Sequence, residues 1–124
     1  MQILDAGAFI AAERNDRAMW RRINTALKAG RRPLTSAAVL GQVWRGDARQ
    51  ATMARLIKSV EVAPLTEQIG LKIGRLLADS KTSDVVDAAV VILAADDDII
   101  YTSDPDDIAH LAIALGLHVD IVPV

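Results

Sequence analysis

Three aspartates from distant parts of the chain carry the side chains best suited to chemistry. Asp5 follows a short apolar run, Asp87 lies just inside another, and Asp104 follows the β-rich segment Ile99 to Ser103. The chain contains no cysteine, which excludes thiolate ligands and a cysteine nucleophile. Clustered carboxylates repel one another unless a hard cation such as Mg²⁺ or Mn²⁺ neutralises them. If the fold brings the aspartates together, they form a divalent-metal site suited to phosphodiester hydrolysis.

Each aspartate also has an explanation as a helix start. Asp5 is placed to cap a helix, and Asp84 with Asp87 resembles a capping box. Asp104-Pro105 has the order of a cap followed by proline at the first helical position. Capping accounts for each residue alone, but it does not explain why all of these helix starts carry aspartate. Their expected convergence at one edge therefore favours a metal site.

Alternating strands and helices are predicted to position these aspartates. Strands are predicted at Gln2 to Leu4, Pro33 to Thr35, Val60 to Pro64, Ile99 to Thr102 and Val119 to Val122. Helices are predicted at 6–12, 48–59, 66–78, 85–95 and 106–115. Two more are predicted, one with apolar positions from Met19 to Leu27 that Gly30 ends, and one capped by Ser36 that runs through Trp44. This alternation predicts an α/β fold with a short, mainly parallel central sheet flanked by helices. Ligands of such sheets bind beyond the carboxyl ends of the strands, where Asp5 and Asp104 are expected.

The composition predicts one soluble domain over residues 1–124. Of these residues 52% are hydrophobic, enough for one continuous core. No apolar run approaches the roughly 20 residues that cross a bilayer, and the N-terminus lacks signal-peptide features. We therefore expect an unexported, cytoplasmic protein without membrane association.

Charge is unevenly distributed along the chain. Residues 1–60 contain eleven Lys and Arg against four acidic residues, whereas residues 61–124 contain three against twelve. One interpretation is a phosphate-binding first half beside an acidic, cation-binding second half. The other is that these charges lie on solvated helix faces.

Four segments, in this order, resemble a known family. They are Ile3-Leu4-Asp5-Ala6-Gly7-Ala8, Ser36-Ala37-Ala38-Val39-Leu40-Gly41-Gln42-Val43, Asp84-Val85-Val86-Asp87-Ala88 and Tyr101-Thr102-Ser103-Asp104-Pro105-Asp106-Asp107. The set spans nearly the whole chain and is similar to the PIN domain, in particular the VapC ribonuclease toxins of bacterial toxin-antitoxin pairs. The resemblance implies a PIN-like fold.

The resemblance also implies an activity and a set of site residues. It implies a Mg²⁺-dependent endoribonuclease, with Mn²⁺ as a substitute, in which Asp5, Asp87 and Asp104 are the catalytic metal ligands. The implied supporting residues are Asp84, Asp106, Asp107, Thr102 and Ser103. A VapB-type antitoxin is the implied neutralising partner, RNA the substrate, and a homodimer the implied assembly.

Gln42 departs from the family pattern, which usually has glutamate at this position. A glutamine oxygen can still coordinate a cation or hold its water, but it adds no charge and cannot take up a proton. Gln42 is equally interpreted as a polar residue hydrogen-bonded near the sheet edge. The lost charge leaves open a second function, a non-catalytic PIN-like module that binds RNA or antitoxin.

Four arginines on helices after the expected active edge are candidates to contact RNA phosphates: Arg14, Arg17, Arg45 and Arg49. Each is alternatively a solvated surface residue. Trp20 and Trp44 occupy apolar helix positions, which predicts packing in the core or an interface rather than base stacking. His110 is interpreted as structural.

Overall fold

A sheet of five parallel strands forms the centre of the molecule. The computed structural model describes all residues, 1–124. The strands are β1 Gln2–Leu4, β2 Leu34–Ser36, β3 Glu61–Ala63, β4 Ile99–Thr102 and β5 Asp120–Pro123. Their order is β3-β2-β1-β4-β5, and every neighbouring pair is parallel. Strands β2 and β3 follow β1 on one side of it, whereas β4 and β5 lie on its other side. Strand order therefore reverses between β1 and β4.

Seven α-helices flank the sheet. They are α1 Ala6–Glu13, α2 Arg17–Lys28, α3 Ala37–Val43, α4 Ala51–Ser59, α5 Glu67–Ser80, α6 Val85–Leu93 and α7 Pro105–Leu115. Helix α1 contacts α2, α3 and α4, whereas α5, α6 and α7 pack against one another. Right-handed crossovers place these two groups on opposite faces, because the chain reverses direction across the sheet after β3. The predicted α/β fold with a mainly parallel sheet is confirmed.

Several helix boundaries differ from those predicted by one to three residues, and two of these differences have a local cause. Asp47 accepts a hydrogen bond from the backbone N–H of Arg49, but the turn it starts, Ala48–Gln50, is a 3₁₀ turn that precedes α4. Helix α6 ends at Leu93 rather than at Ala95 because the backbone of Ala94 is extended. None of the helices combines the length with the apolar composition that crossing a bilayer requires.

The core lies between the sheet and its helices and fixes the position of α6. A cluster of 23 buried hydrophobic residues includes Ile3 and Ile100 from adjacent strands and Phe9 from α1. Helix α6 contributes the buried run Ala88 to Val91, which matches its predicted character as an apolar, buried helix. Because this run is enclosed, the first turn of α6 and its Asp87 are held firmly beside the sheet.

Candidate metal centre

Asp5 and Asp104 lie at the carboxyl ends of neighbouring strands. The backbone N–H of Asp5 donates to the carbonyl of Tyr101 at 3.0 Å, which extends the pairing of β1 with β4. Asp104 follows β4 by two residues, and Asp87 reaches the same edge from the first turn of α6. One carboxylate oxygen from each of the three aspartates lies within 4.8 Å of the others. The structure thus brings together the residues that the sequence singled out.

Thr102 forms hydrogen bonds to two of the residues in this cluster. Its hydroxyl donates to Oδ2 of Asp5 at 2.7 Å and accepts from the backbone N–H of Asp104 at 3.0 Å. The other oxygen of Asp5 accepts from the N–H of Ala6 at 2.8 Å. Thr102 is fully buried and Asp5 is 2% exposed, so neither group can exchange these partners for water. One hydroxyl therefore links the carboxylate after β1 to the backbone that carries Asp104.

The carboxylates of Asp87 and Asp104 are not used as helix caps. Asp84 caps α6 by accepting from the N–H of Asp87 at 3.0 Å, while the carboxylate of Asp87 accepts no hydrogen bond. Asp104 stands at the N-cap position of α7 without a side-chain capping bond. The capping explanation therefore holds for Asp5 and Asp84 and is wrong for Asp87 and Asp104. These two carboxylates are left free to bind something else.

Burial and mutual repulsion make the ionised cluster unfavourable. Burial raises the pKa of Asp5, although hydrogen bonds from Thr102 and Ala6 oppose the increase. Burial is also the main cause that raises the pKa of Asp87, to about 7, and the charges of Asp84 and Asp5 raise it further. A divalent cation would reverse these effects because it stabilises every neighbouring carboxylate in the ionised form.

The donor set fits a hard divalent cation. All of the clustered ligand atoms are carboxylate oxygens, which suit Mg²⁺ and Mn²⁺ and lack the sulfur or imidazole donors that zinc favours. Two of the ligands are buried and Asp104 is exposed, so the site is open on one side. Mg²⁺ commonly keeps several waters, and an open side leaves room for water or a phosphate oxygen.

Comparison with known proteins supports the fold but not a family assignment. No family model and no curated protein matches the sequence. The chain is similar to one in the crystal structure of VapBC2 from Rickettsia felis bound to a DNA fragment from their promoter, with a TM-score of 0.68 and 10% identity over 97% of this chain and 97% of that chain. Identity this low shows the fold alone. The fold is PIN-like.

In this PIN-like fold, a cleft of about 180 Å³ adjoins the metal centre. It is lined by Thr82, Ser83, Asp84, Asp87, Asp107, His110 and Leu111. Asp84 and Asp107 therefore line this cleft together with Asp87, whereas Asp106 belongs to neither the cluster nor the cleft. The supporting role of these acids stays a prediction. Sequence reasoning treated His110 as structural, and its Nε2 does bond the Ser80 carbonyl at 2.8 Å. Its spacing of three residues from Asp107 on α7 was the signal that it also faces the cleft.

The other predicted site residues, Gln42, Arg45 and Arg14, differ in their contacts and in their position relative to the aspartate cluster. Gln42 is exposed on α3, and its side chain makes no hydrogen bond, so the predicted hydrogen-bonded role is wrong. Arg45 closes the end of α3 by donating to the carbonyls of Gly41 at 3.0 Å and Trp44 at 2.9 Å. Arg14 lines a groove of about 550 Å³ together with Gly7 and Ser103, the residue before Asp104. Of these two arginines, only Arg14 shares a groove with the segment that carries Asp104.

Gly7 permits α1 to approach the loop that carries Asp104. A Cβ atom at Gly7 would stand 2.7 Å from the Cβ and Oγ of Ser103 and 2.8 Å from its backbone nitrogen. The backbone of Ser103 cannot move away from an added Cβ as the end of a flexible side chain could. We therefore expect Gly7→Ala to lower the free energy of unfolding by about 1–3 kcal/mol and to weaken Mg²⁺ binding, as measured by urea unfolding and by calorimetry.

Gly74→Ala provides the matched control for this substitution. A Cβ at Gly74 meets no atom within 4 Å, and the residue is exposed in the interior of helix α5. We expect this change to stabilise the protein by about 0.5–1 kcal/mol because alanine favours the helix. Similar effects of the two substitutions would contradict the steric role assigned to Gly7.

Proposed function

We propose that this protein is a Mg²⁺-dependent endoribonuclease that acts as a VapC-type toxin. The observation that carries the proposal is the convergence of Asp5, Asp87 and Asp104 within 4.8 Å, with two of the carboxylates free of hydrogen bonds. Mutual repulsion disfavours such a cluster, and a bound divalent cation removes that cost. The site lies at the strand-order reversal, where α/β proteins with open sheets bind their ligands.

The residues of the chain have distinct tasks in this mechanism. Asp5, Asp87 and Asp104 would hold Mg²⁺, which would supply an activated water and stabilisation of the charge that develops on the phosphoryl oxygens. Thr102 and the N–H of Ala6 hold both oxygens of Asp5, so this ligand is oriented before metal binds. Exposed Asp104 stands on the side from which a phosphodiester approaches. Asp87 must lose its proton to act as a ligand, and its raised pKa makes metal binding depend on pH.

RNA is the proposed substrate. Arg14 lines the groove beside Ser103, where its guanidinium can contact a phosphate next to the cleaved bond. Aromatic residues make up only 3% of the chain, which leaves few platforms for stacking unpaired bases. Recognition is therefore proposed to depend on phosphate contacts and RNA shape.

A VapB-type antitoxin is the proposed partner, and a homodimer the proposed assembly. The VapBC2 structure that shares this fold is a complex, which supports a protein partner here. An apolar groove of about 480 Å³ lies between α3 and α4, where Trp44 remains 40% exposed, a position that favours an interface over the core. The proposed antitoxin would pack over α3 and α4 and place a basic side chain against the aspartates. Light scattering after size exclusion measures the assembly of the isolated chain.

A non-catalytic PIN-like module that binds RNA or antitoxin is the second candidate. It is favoured by Gln42, which adds no negative charge and makes no hydrogen bond. The discriminating experiment incubates the purified protein with a panel of structured RNAs in Mg²⁺, Mn²⁺ or EDTA, with Asp104→Asn as the comparison. The enzyme is expected to cleave only with metal and to lose cleavage in the variant. Absence of metal-dependent cleavage from every RNA would favour the module.

Gln42→Glu tests the position at which the chain departs from the family pattern. The family resemblance implies a metal-site glutamate at this position, so a carboxylate here is expected to tighten Mg²⁺ binding about tenfold, equivalent to about 1.4 kcal/mol, and to increase cleavage at limiting Mg²⁺. Calorimetry and initial rates measure the two effects. Gln68→Glu makes the same change at an exposed position of α5 and should alter neither. Unchanged affinity and cleavage in Gln42→Glu would show that this position has no part in the site.

A further inference from the structure

Helix α2 presents a basic face beside an open groove. Arg17, Arg21, Asn24 and Lys28 follow one another at spacings of four, three and four residues, which places them along one side of the helix. A groove of about 520 Å³ runs beside this side. Its lining consists of Asn15, Arg17, Trp20, Arg21, Asn24, Thr25 and Lys28. The groove therefore contains cationic and amide groups and no acidic side chain.

The positive charges of this face have no partners in the protein. The ion pairs of the structure join the N-terminus to Asp98, Arg75 to Asp79 and His118 to Asp96, and none involves α2. The side chains of Arg17, Arg21 and Lys28 donate no hydrogen bond. A solvated helix face is commonly balanced by acidic residues one turn away, but α2 contains no Asp or Glu.

One nearby acid is already occupied. Asp16 caps α2, where its carboxylate accepts from the N–H of Met19 at 2.9 Å. Its charge complements the helix start and not the face that Arg21 and Lys28 occupy more than one turn and about three turns further along. The groove thus remains complementary to a polyanion.

This basic face is connected to the metal centre through the turn between α1 and α2. Arg14 follows α1 and lines the groove that also contains Gly7, Asp16 and Ser103, the residue before Asp104. Asn15, the next residue, belongs to the lining of the α2 groove. From Arg17 to Lys28 the face extends a further ~16 Å along the helix. A chain of phosphates that follows this groove away from Ser103 would reach Arg14 and then the α2 face.

We propose that the α2 face binds the RNA backbone on one side of the cleaved phosphodiester. The inference rests on the proposed function in one respect, that RNA is the substrate. An arginine guanidinium can donate two parallel hydrogen bonds to the oxygens of one phosphate, and Lys28 supplies a further positive charge. Trp20 forms part of the groove wall, and its indole N–H is held by the carbonyl of Ala12 at 2.8 Å. The binding is thus electrostatic and independent of base identity.

The experiment measures binding of full-length protein to a labelled single-stranded RNA in EDTA, over a series of salt concentrations. In the triple variant Arg17→Gln, Arg21→Gln, Lys28→Gln, affinity at low salt is expected to fall at least about tenfold. The slope of log Kd against log salt should decrease by roughly 2, because each single-strand phosphate contact contributes ~0.7. Arg21→Gln alone should lower the slope by about 0.7 and keeps the test valid if the triple variant is unstable.

The second half of the chain provides the matched control. Its basic residues are Lys72, Arg75 and Lys81, all exposed, on and just after α5. The variant Lys72→Gln, Arg75→Gln, Lys81→Asn removes the same charge and is expected to retain affinity and slope. Asparagine is used at position 81 because the backbone φ of Lys81 is 57°, in the left-handed region that asparagine adopts more readily than most residues.

Two outcomes would overturn the proposal. Equal losses in both triple variants would mean that net charge alone governs binding, and an unchanged slope in the α2 variant would mean that the face serves another partner, such as an acidic protein. Cleavage with Mg²⁺ is measured in parallel on the same RNA. Binding that depends on α2 without cleavage would contradict the proposed catalysis only, whereas cleavage with α2-independent binding would contradict the proposed surface only.

Discussion

Replacing Asp87 with asparagine is expected to lower metal-dependent RNA cleavage at least about 100-fold, because a site with three carboxylate ligands loses one of them. Asparagine has the same shape, and the carboxylate of Asp87 accepts no hydrogen bond that the amide would break. The loss therefore reports charge and coordination and not misfolding. Initial rates on RNA at saturating Mg²⁺, together with calorimetric Mn²⁺ binding, measure the effect.

The same substitution should stabilise the metal-free protein. At pH 8 the buried carboxylate of Asp87 is ionised beside Asp5, Asp84 and Asp104, and asparagine removes this repulsion. A higher melting temperature together with lost cleavage would indicate that Asp87 destabilises the metal-free protein and is needed for cation binding. Asp120→Asn, at an exposed position of β5, is the control and should change neither property. Wild-type cleavage by Asp87→Asn would contradict the proposed ligand role.

The stability of the metal-free protein is expected to fall as pH rises from about 4 to about 7. Unfolded aspartate has a pKa near 4, whereas burial and neighbouring charges raise the pKa of Asp87 in the folded protein to about 7. Between these values the folded state binds more protons than the unfolded state, so each increase in pH favours unfolding. The raised pKa of Asp5 acts in the same direction. Urea unfolding in EDTA across this range measures the trend.

Mg²⁺ is expected to reverse that trend. Binding requires the ionised carboxylates, so affinity should rise with pH up to about 7 and level off above it. The increase in melting temperature caused by Mg²⁺ should accordingly be larger at pH 8 than at pH 5.5. In Asp87→Asn the pH dependence should become much shallower. Equal stabilisation of the wild-type protein by Mg²⁺ at both pH values would show that the titrating aspartate does not bind the metal.

The likeness to the VapBC2 chain shows how a fold persists when sequence similarity does not. Only 10% of aligned residues are identical, yet the chains superpose over 97% of their length. Strand-helix alternation and a buried apolar core specify the layers, and many different side chains satisfy both. Side chains that hold a metal have far fewer substitutes. The three aspartates are therefore the residues at which the proposed function is best tested.

Local sequence signals determined most of the elements. Ser36, Thr66 and Asp84 each accept a hydrogen bond from a backbone N–H two or three residues later, so their capping roles are set within one turn. Gly116 ends α7 in the left-handed region, as its position after an apolar run predicts. The alternation of strands and helices in turn determined the parallel sheet and the edge at which Asp5 and Asp104 lie.

Only the tertiary structure decided which carboxylates are free. Thr102 and Asp5 are 97 residues apart in the chain, and their hydrogen bond exists because β4 lies beside β1 in the sheet. The same strand order and the enclosed α6 leave the carboxylates of Asp87 and Asp104 unbonded, although the local sequence around each resembles a cap. Capping depends on neighbours within one turn, which the sequence contains, whereas convergence depends on strand order, which the burial of the whole core decides.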